Sequence, residues 1–247
     1  MKKSMKCKSW MLLAMAAVSA LGFQSCLDDE DDYAYQVMVP NAIVTVKTTA
    51  DDGFYLQLDD STTLLPVNLT TSPFGKKEVR ALTNFTPVDQ PTGGYTQAVN
   101  VNWIDSILTK PMAPDLGLQN DSVYGVDPVE IVNDWVTIAE DGYLTLRFRT
   151  AIGDQSSKHF VNLLKGDEPY EVIFRHNAFG STYGPMGDGL VAFKLDSLPD
   201  TNGETVKLKL VWESYSGEKT AEFNYCSRKS TSTSASIASE RSTLNMQ

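Results

Sequence analysis

Apolar and polar side chains alternate with a period of two along much of this chain, and that period is typical of β-strands. Leu144, Leu146 and Phe148 alternate with polar residues, and the same pattern returns between Val206 and Trp212. Because successive side chains of a strand point to opposite faces, each segment predicts one apolar and one solvent-exposed face. The pattern therefore predicts an all-β fold of antiparallel sheets.

Turn signals divide the first half of the chain into short strands. The segment Asp51 to Gly53 separates two apolar runs and predicts a β-hairpin. Ser72 to Gly75 separates two further strands in the same way. The one helix candidate is Trp103 to Thr109, which Pro111 would end. The sequence thus predicts a β protein with very little helix.

The first 25 residues have the layout of an export signal. Four lysines precede an apolar segment from Trp10 to Phe23, and this segment is shorter than the roughly 20 residues that span a membrane. Cys26 follows three residues after this segment, as in a bacterial lipoprotein signal, where the cysteine thiol is lipidated. We predict a signal peptide over residues 1–25 and an acyl anchor, with palmitate among its chains, at Cys26. The alternative is an ordinary secretory signal followed by a cysteine that stays free.

A run of carboxylates follows the anchor, and its charge keeps it solvated and extended. We interpret residues 26–36 as an acidic tether. The run resembles the export signal that carries Bacteroidetes lipoproteins to the outer leaflet of the outer membrane. Carboxylates also bind Ca²⁺, but the run lacks the glycine turn and spaced ligands of a Ca²⁺ loop. The predicted export signal consists of Asp28, Asp29, Glu30, Asp31 and Asp32.

Several segments, together with the lipoprotein signal, follow one another along the chain in an order that carries a family resemblance. They are Val79 to Phe85, Asp141 to Phe148, Phe174 to Ala178, Leu210 to Ser214 and Phe223 to Tyr225. This order resembles the NigD-like lipoproteins of Bacteroidetes. The resemblance implies an OB-type small barrel over residues 37–103 and a β-sandwich over residues 104–226. A Ser/Thr-rich stretch over residues 227–247 has no apolar alternation and predicts a disordered tail.

The family takes its name from a bacteriocin gene neighbourhood, where a role in production or immunity has been suggested, and no defined activity follows from membership. We expect a non-enzymatic binding or interaction protein. The alternatives are a bacteriocin-associated or immunity protein and a carbohydrate-binding accessory lipoprotein. The expected partners are the membrane, through the lipid anchor, and an extracellular protein or glycan. The expected location is the outer membrane at the cell surface, with the periplasmic leaflet as the alternative.

Several kinds of chemistry find no support in the sequence. The net charge is −10, and removing the four signal lysines lowers it to −14, so phosphate backbones would be repelled and nucleic acid is not an expected partner. His159 and His176 have no second histidine or cysteine at metal-ligand spacing. Neither a Gly-x-Ser-x-Gly elbow nor a phosphate-binding glycine loop is present. We therefore expect no catalytic residues, no metal and no cofactor, a structural role for His176, and a quiet thiol at Cys226.

Two sets of residues are candidates for contact with a ligand. Aromatic residues of the barrel either stack on a sugar or peptide or belong to the core, as most aromatics in small barrels do. The glycine-rich stretch from Tyr183 to Gly189 predicts a mobile surface loop, and loops often carry binding sites. The barrel aromatics in question are Phe54, Tyr55, Phe74 and Tyr95.

A short Asp-Ser motif, which Bacteroidetes use for O-glycosylation of exported proteins, occurs four times with an apolar or threonine residue after the serine. Asp-Ser pairs also form ordinary turns, and this is the alternative interpretation. The candidate O-glycosylation sites are Ser61, Ser106, Ser122 and Ser197.

Overall fold

The computed structural model describes residues 38–153 and 158–228. The signal peptide, Cys26, the acidic run and residues 229–247 of the predicted tail lie outside the described residues. Five strands of the described part form a closed barrel in the order β1-β2-β3-β5-β4. Strand β4 closes the barrel against β1 in antiparallel fashion, and β3 runs parallel to β5. These strands are β1 (Ala42–Thr48), β2 (Phe54–Gln57), β3 (Thr63–Pro66), β4 (Val79–Val88) and β5 (Gln97–Ser106).

The barrel is filled by alternate side chains of its strands, as expected for a small closed sheet. Val44, Leu56, Leu64 and Val99 are fully buried in one cluster, and each contributes about 1.5–3 kcal/mol of hydrophobic stabilisation. The predicted hairpin joins β1 to β2, and Asp52 adopts a positive φ of 64° in its turn.

The second half of the described chain forms two packed sheets. One has the order β6-β12-β9-β7, with β8 also paired to β9, and the other has the order β10-β11-β13-β14. A 3-10 turn (Gly117–Gln119) and a short helix, α1 (Asn120–Tyr124), lie between the first of these strands, β6, and the second, β7. The strands are β6 (Leu108–Pro111), β7 (Glu130–Ile131), β8 (Ile138–Glu140), β9 (Tyr143–Ala151), β10 (Phe160–Lys165), β11 (Glu171–Asn177), β12 (Met186–Lys194), β13 (Val206–Ser214) and β14 (Gly217–Tyr225).

The alternation of the sequence places the sandwich core as expected, and the all-β fold class is confirmed. Leu144 and Leu146 of β9 pack in one cluster with Leu208 and Leu210 of β13. The outer face of β9 is not wholly solvent-exposed, however, since Thr145 is 0% exposed. The barrel covers this part of the sheet and leaves the outer face exposed only farther along the strand.

The junction between the barrel and the sandwich is an apolar cluster. Ile43 and Ile107 on the barrel side pack with Tyr143, Ala192 and Val136 of the sandwich. Ile107 is the single residue between β5 and β6, and its backbone N–H donates to the Arg80 carbonyl at 2.8 Å. The two domains are therefore joined without a flexible linker.

The predicted helix from Trp103 to Thr109 is wrong. These residues belong instead to the end of β5 and the start of β6, with Ile107 between the two strands. Trp103 lies opposite Asn84 of β4, and Leu108 lies opposite Val191 of β12. Pairing with two different sheets outweighs the local helical tendency of a short segment. Among the described residues, no helix has the length and apolar character needed to cross a bilayer.

Candidate functional site

Several strand ends meet at one end of the sandwich. The end of β9 lies opposite the start of β12, and the start of β10 lies opposite the end of β11. Because β13 runs parallel to β11, the β13–β14 turn lies at this end as well. We call this region, residues 152–153, 158–160, 178–186 and 215–216, the loop end. It gathers connections from both sheets, as loops do in sandwiches that bind through one end.

The loop end exposes large apolar side chains to solvent. Phe179 is 59% and Tyr183 70% exposed, and Phe160, Met186 and Tyr215 are exposed as well. The Phe160 and Phe179 rings meet edge to face, with centroids 4.8 Å apart and planes at 89°. A group of exposed aromatic side chains is unusual on a soluble surface and often marks a place of interaction.

Phe179 is held in a strained backbone conformation. Its φ is 49°, in the left-handed region that bulky side chains seldom adopt. Its N–H donates to the Asn177 side-chain oxygen at 2.9 Å, and the neighbouring Ala178 N–H donates to the Asp127 carboxylate at 2.7 Å. Such strain costs about 1–3 kcal/mol and persists where surrounding contacts enforce it. The fold thus holds an aromatic ring outward at an energetic cost.

The two histidines meet directly beneath this surface. His159 Nδ1 lies 2.9 Å from His176 Nε2, and the two rings are nearly parallel, with planes 5° apart and centroids 5.2 Å apart. His176 is 2% exposed, and its Nδ1 lies 3.3 Å from the Asp127 carbonyl oxygen. Burial lowers the pKa of His176, and the nearby His159 lowers it further.

Spacing along the sequence did not reveal this pair. The pairing of β10 with β11 brings the two histidines together. Val161 lies opposite His176, so His159, two residues before Val161, lies diagonally across the hairpin from His176. Within the described residues, no group of three or more His, Cys, Asp or Glu is arranged to hold a metal ion.

A polar cleft of about 660 Å³ lies at the opposite end of the sandwich, against the barrel. Arg228 forms ion pairs with Glu78 of the barrel at 2.7 Å and with Asp141 of the sandwich at 3.0 Å. Lys47 of the barrel pairs with the same Asp141 at 2.7 Å. The cleft is lined by Lys47, Thr48, Tyr55, Gln57, Asp60, Glu78, Asp141, Cys226, Ser227 and Arg228.

Tyr143 completes this network. Its hydroxyl donates to the Glu78 carboxylate at 2.6 Å, and the Arg228 guanidinium lies 4.8 Å from its ring centroid. Burial raises the pKa of Tyr143, and the hydrogen bond to Glu78 raises it further. We call Lys47, Glu78, Asp141, Tyr143 and Arg228 the interdomain clamp. Its charged groups neutralise one another and bind the two domains together, so we assign the clamp a structural role.

The C-terminal residues of the described chain take part in this arrangement. Ser227 and Arg228 fall in the stretch expected to be a disordered tail, yet the Ser227 hydroxyl donates to Asp200 at 2.6 Å and Arg228 joins the clamp. Cys226 is a free, half-buried thiol whose Sγ lies 3.6 Å from the Thr201 hydroxyl.

A buried arginine lies close to the clamp. Arg80 is 0% exposed, and its Nη1 donates to the Thr45 hydroxyl at 3.0 Å. Its Nη2 has no hydrogen-bond partner among the described residues and lies 3.8 Å from a Glu140 oxygen. Burial lowers the pKa of Arg80 and raises that of Glu140. Arg80 lies in the segment Val79 to Phe85 that carries the family resemblance, and nothing in the sequence indicates that its side chain is buried.

The structure separates the four predicted barrel aromatics into two groups. Phe54 is buried in the barrel core, and Phe74 packs against that core. Tyr55 and Tyr95 lie half-buried on the barrel with ring centroids 5.1 Å apart, and Tyr55 lines the cleft. Burial raises the pKa of Tyr55, and the charge of Asp141 raises it further.

The predicted loop from Tyr183 to Gly189 is partly a strand, because β12 begins at Met186. Gly187 and Gly189 are strand positions where a Cβ would meet the side chains of Ile152 and Phe148. These glycines are therefore explained by close packing against the side chains of β9 and of Ile152 that follows it, and not by mobility of the segment. Ahead of them, Tyr183 remains an exposed loop residue at the loop end.

All four candidate O-glycosylation serines are exposed. Ser61 and Ser197 lie in turns, Ser106 ends β5, and Ser122 lies in α1. The Ser61 hydroxyl donates to Asp59, and the Ser122 hydroxyl donates to the Gln119 carbonyl. Glycosylation of these serines stays a prediction.

Comparison with known proteins places both domains in one family. Residues 43–107 match the NigD-like N-terminal OB domain, and residues 111–225 match the NigD-like C-terminal beta sandwich domain. No curated protein matches the chain.

Several solved structures share the fold. A protein from Parabacteroides distasonis ATCC 8503, named as toxin-related, is 36% identical with a TM-score of 0.64, over 83% of this chain and 98% of that chain. A NigD-like immunity protein from Bacteroides caccae ATCC 43185 is 18% identical with a TM-score of 0.54, over 75% and 96% of the two chains. A protein from Bacteroides fragilis NCTC 9343 named as a lipoprotein is 15% identical with a TM-score of 0.51, over 76% and 98%.

The family matches follow the barrel and the sandwich in order, and together they span more than half of the chain. This chain belongs to the NigD-like family.

Proposed function

We propose that this NigD-like chain is a lipid-anchored envelope protein that binds another protein through its loop end and has no catalytic activity. One observation carries the proposal: Phe179 holds an exposed ring in a strained conformation, packed edge to face against Phe160. Strain and exposure both work against stability, so a binding role gives them a reason.

The chemistry of the loop end favours a protein partner over a glycan. A sugar ring stacks best on a flat aromatic face, whereas the Phe160 and Phe179 rings lie at 89° to each other. The other large apolar side chains exposed at the loop end are Tyr183, Tyr215 and the flexible Met186. Aromatic and methionine side chains of this kind are enriched at protein interfaces.

The absence of catalysis is proposed on the state of the polar cleft. Each charged member of the interdomain clamp is engaged with another, as Arg228 is with Glu78 and Asp141. A general acid or base needs a free proton site aimed at a substrate. Groups committed to holding two domains together are poorly suited to that task.

A crosslinking experiment in intact cells tests the loop end. A photoreactive phenylalanine replaces Tyr183 in one strain and, as a matched control, Tyr95 on the barrel in another. We expect one discrete protein adduct from position 183, lost when Phe179→Ser is added, and no equivalent adduct from position 95. Equal adducts from both positions, or none from position 183, would contradict a binding role for the loop end.

The lipid anchor is supported by the signal that ends at Cys26, and a fold relative from Bacteroides fragilis is named as a lipoprotein. The two-chain anchoring of an acylated cysteine gives stable membrane attachment. We expect the native chain in the membrane fraction with lipid mass added, and the Cys26→Ser variant in the soluble fraction. Export to the cell surface is tested by protease shaving of intact cells, with Asp28 to Asp32 neutralised in the comparison strain. Equal protection of both chains would place the protein on the periplasmic side.

An immunity role is the second candidate. The relative from Bacteroides caccae is named an immunity protein, and the one from Parabacteroides distasonis is named as toxin-related. Under this proposal the loop-end partner is a toxic protein. Deleting the gene should then raise the sensitivity of the strain to spent medium of related strains, and the native chain but not Phe179→Ser should restore resistance.

A carbohydrate-binding role is the third candidate, and it is favoured by the neighbouring Tyr55 and Tyr95 rings beside the cleft, whose planes are tilted by 31°. Glycan binding by the isolated chain that is lost in Tyr55→Ala and kept in Phe179→Ser would support it against the other two.

A further inference from the structure

We infer that the hydrogen-bonded imidazoles of His159 and His176 form a pH-sensitive lock that closes only while His176 is neutral, so that acid releases the loop end. The regulation of partner binding rests on the proposed function, but the lock itself does not. Its position is what makes it consequential: His159 directly precedes Phe160, and His176 lies near the turn that carries Phe179.

The hydrogen bonds determine which nitrogens carry protons. His176 Nδ1 faces the Asp127 carbonyl oxygen at 3.3 Å, and a carbonyl only accepts, so this nitrogen must be the donor. In the neutral ring, His176 Nε2 is then a bare acceptor. The His159 nitrogen 2.9 Å away must therefore be an Nδ1–H donor. His159 Nε2 is left as a bare lone pair, which is buried without a partner among the described residues.

His176 cannot take a proton in this arrangement without a penalty. A proton on His176 Nε2 would point directly at the Nδ1–H of His159 and break the bond between the rings. The bond would survive only if the His159 proton moved to its own Nε2, which is buried without an acceptor among the described residues. The penalty is relieved when His159 leaves His176 and reaches solvent.

The charged groups around the pair do not offset this cost. Asp127 is the acid whose charge acts on His176, but its effect is smaller than that of burial. Arg175, next to His176 on β11, is paired with Asp121 at 3.0 Å, and Lys158, next to His159, is exposed. From β9, the neighbour is the apolar ring of Phe148, 6.3 Å from the His176 ring.

The expected pH dependence follows from the direction of the shift. Because the pKa of His176 is lowered in the folded chain, the unfolded chain binds the proton more readily below about pH 6.5. The contribution of the pair to stability is therefore full above that pH and decreases as the pH falls. His159, Phe160 and the packing of Phe160 on Phe179 should loosen together at the acid end.

The chain contains only two histidines, so NMR can follow both rings without ambiguity. The test uses the chain from residue 26 onward, with Cys26→Ser to prevent acylation, between about pH 8 and pH 5. At the upper end we expect both rings as Nδ1–H tautomers. On acidification we expect His176 to titrate below the ordinary histidine value, together with faster amide exchange at residues 158–160 and 177–179. Nε2–H tautomers, or two independent titrations at the ordinary value, would overturn the lock.

Replacing His159 by a neutral residue gives a second, independent test. His159→Asn places an amide N–H close to the position of Nδ1–H and cannot be protonated. Its urea midpoint should change less between about pH 7.5 and pH 5.5 than that of the parent chain, whereas a pH dependence equal to the parent's would contradict the inference. The pKa of Glu140 is raised in the folded chain, so its protonation favours the folded chain as the pH falls, which is opposite to the effect of His176. Glu140→Gln therefore serves as the control.

Binding is measured separately, as crosslinking from position 183 at the same two pH values. Weaker crosslinking at the lower pH in the parent, but not in His159→Asn, supports control of the partner site. If the NMR result stands and position 183 gives no adduct at any pH, the lock holds and the proposed binding function fails.

Discussion

At the interdomain clamp, polar side chains from two domains satisfy one another, whereas at the loop end apolar side chains are left facing solvent. The clamp holds Asp141 at 6% side-chain exposure between Lys47 and Arg228. The loop end holds Phe179 at 59% exposure on a strained backbone. One end of the same sandwich is thus fixed to the barrel, and the other is presented outward. Under the proposed function, the contacts that stabilise the fold and the surface that binds a partner lie at opposite ends of one sandwich.

Removing the central charge of the clamp is the strongest challenge to this comparison. Asp141→Asn keeps a residue type that tolerates the φ of 48° at this position but leaves Lys47 and Arg228 without their shared carboxylate. We expect a loss of about 3 kcal/mol in the free energy of unfolding, measured by urea denaturation. The control is Asp134→Asn, whose partner Arg147 is 36% exposed. A loss below about 1 kcal/mol for Asp141→Asn would mean that the clamp is not structural.

The buried arginine beside the clamp, Arg80, allows the effect of losing a buried charge to be separated from the effect of leaving a cavity. Arg80→Ala should cost about 2–3 kcal/mol because it leaves a cavity at a fully buried position. Arg80→Met fills that space without a charge and should change the free energy of unfolding by no more than about 1 kcal/mol. Thermal and urea unfolding of the two variants decide between these effects. Equal losses in both would show that the guanidinium itself is needed.

Relieving the backbone strain at the loop end should raise the free energy of unfolding, whereas the changes at the clamp lower it. Phe179→Asn replaces a bulky ring in the left-handed region by a residue that tolerates it. We expect the free energy of unfolding to rise by about 0.5–1 kcal/mol, while the adduct from position 183 disappears. Phe160→Asn, at a strand position without a positive φ, is the matched control and should bring no gain in stability. If Phe179→Asn is more stable and still crosslinks from position 183, Phe179 is not needed for binding.

The exposed charges of the sheet should have the smallest effect. Hydrogen bonds from Arg149 and Arg147 lower the pKa of Asp188 to about 2. Its contribution is therefore present above about pH 4 and is lost as the pH falls towards 2. Because the guanidinium partners are exposed, we expect Asp188→Asn to cost less than about 1 kcal/mol at neutral pH. Its acid denaturation curve should converge with that of the parent at the lowest pH.

Local patterns predicted the strands well but not the contacts between distant elements. The alternation around Leu146 and Leu210 placed both in the core, and Asp51 to Gly53 gave the first hairpin. The burial of Thr145 could not be predicted, because the barrel that covers it comes from another part of the chain. For the same reason, the local sequence predicts a helix where Trp103 to Ser106 form the end of strand β5.

The candidate sites were harder to predict than the fold because they depend on pairing across strands. His159 and His176 are 17 residues apart in sequence and 2.9 Å apart in space. Arg228 follows the last strand in a Ser/Thr-rich stretch, yet its partner Glu78 lies 150 residues away. Nothing in the local sequence of Phe179 signals a strained conformation, except the glycine that follows it.

The single-residue junction at Ile107 has a mechanical consequence. If the chain is tethered through its N-terminus and grips a partner at the loop end, any pulling force passes from the barrel to the sandwich in series. Ile107 is 5% exposed and packs within the apolar junction, so the connection transmits tension as a stiff joint. Inserting a few Gly-Ser residues after Ser106 would turn that joint into a hinge, and single-molecule pulling would then record two separate unfolding events in place of one.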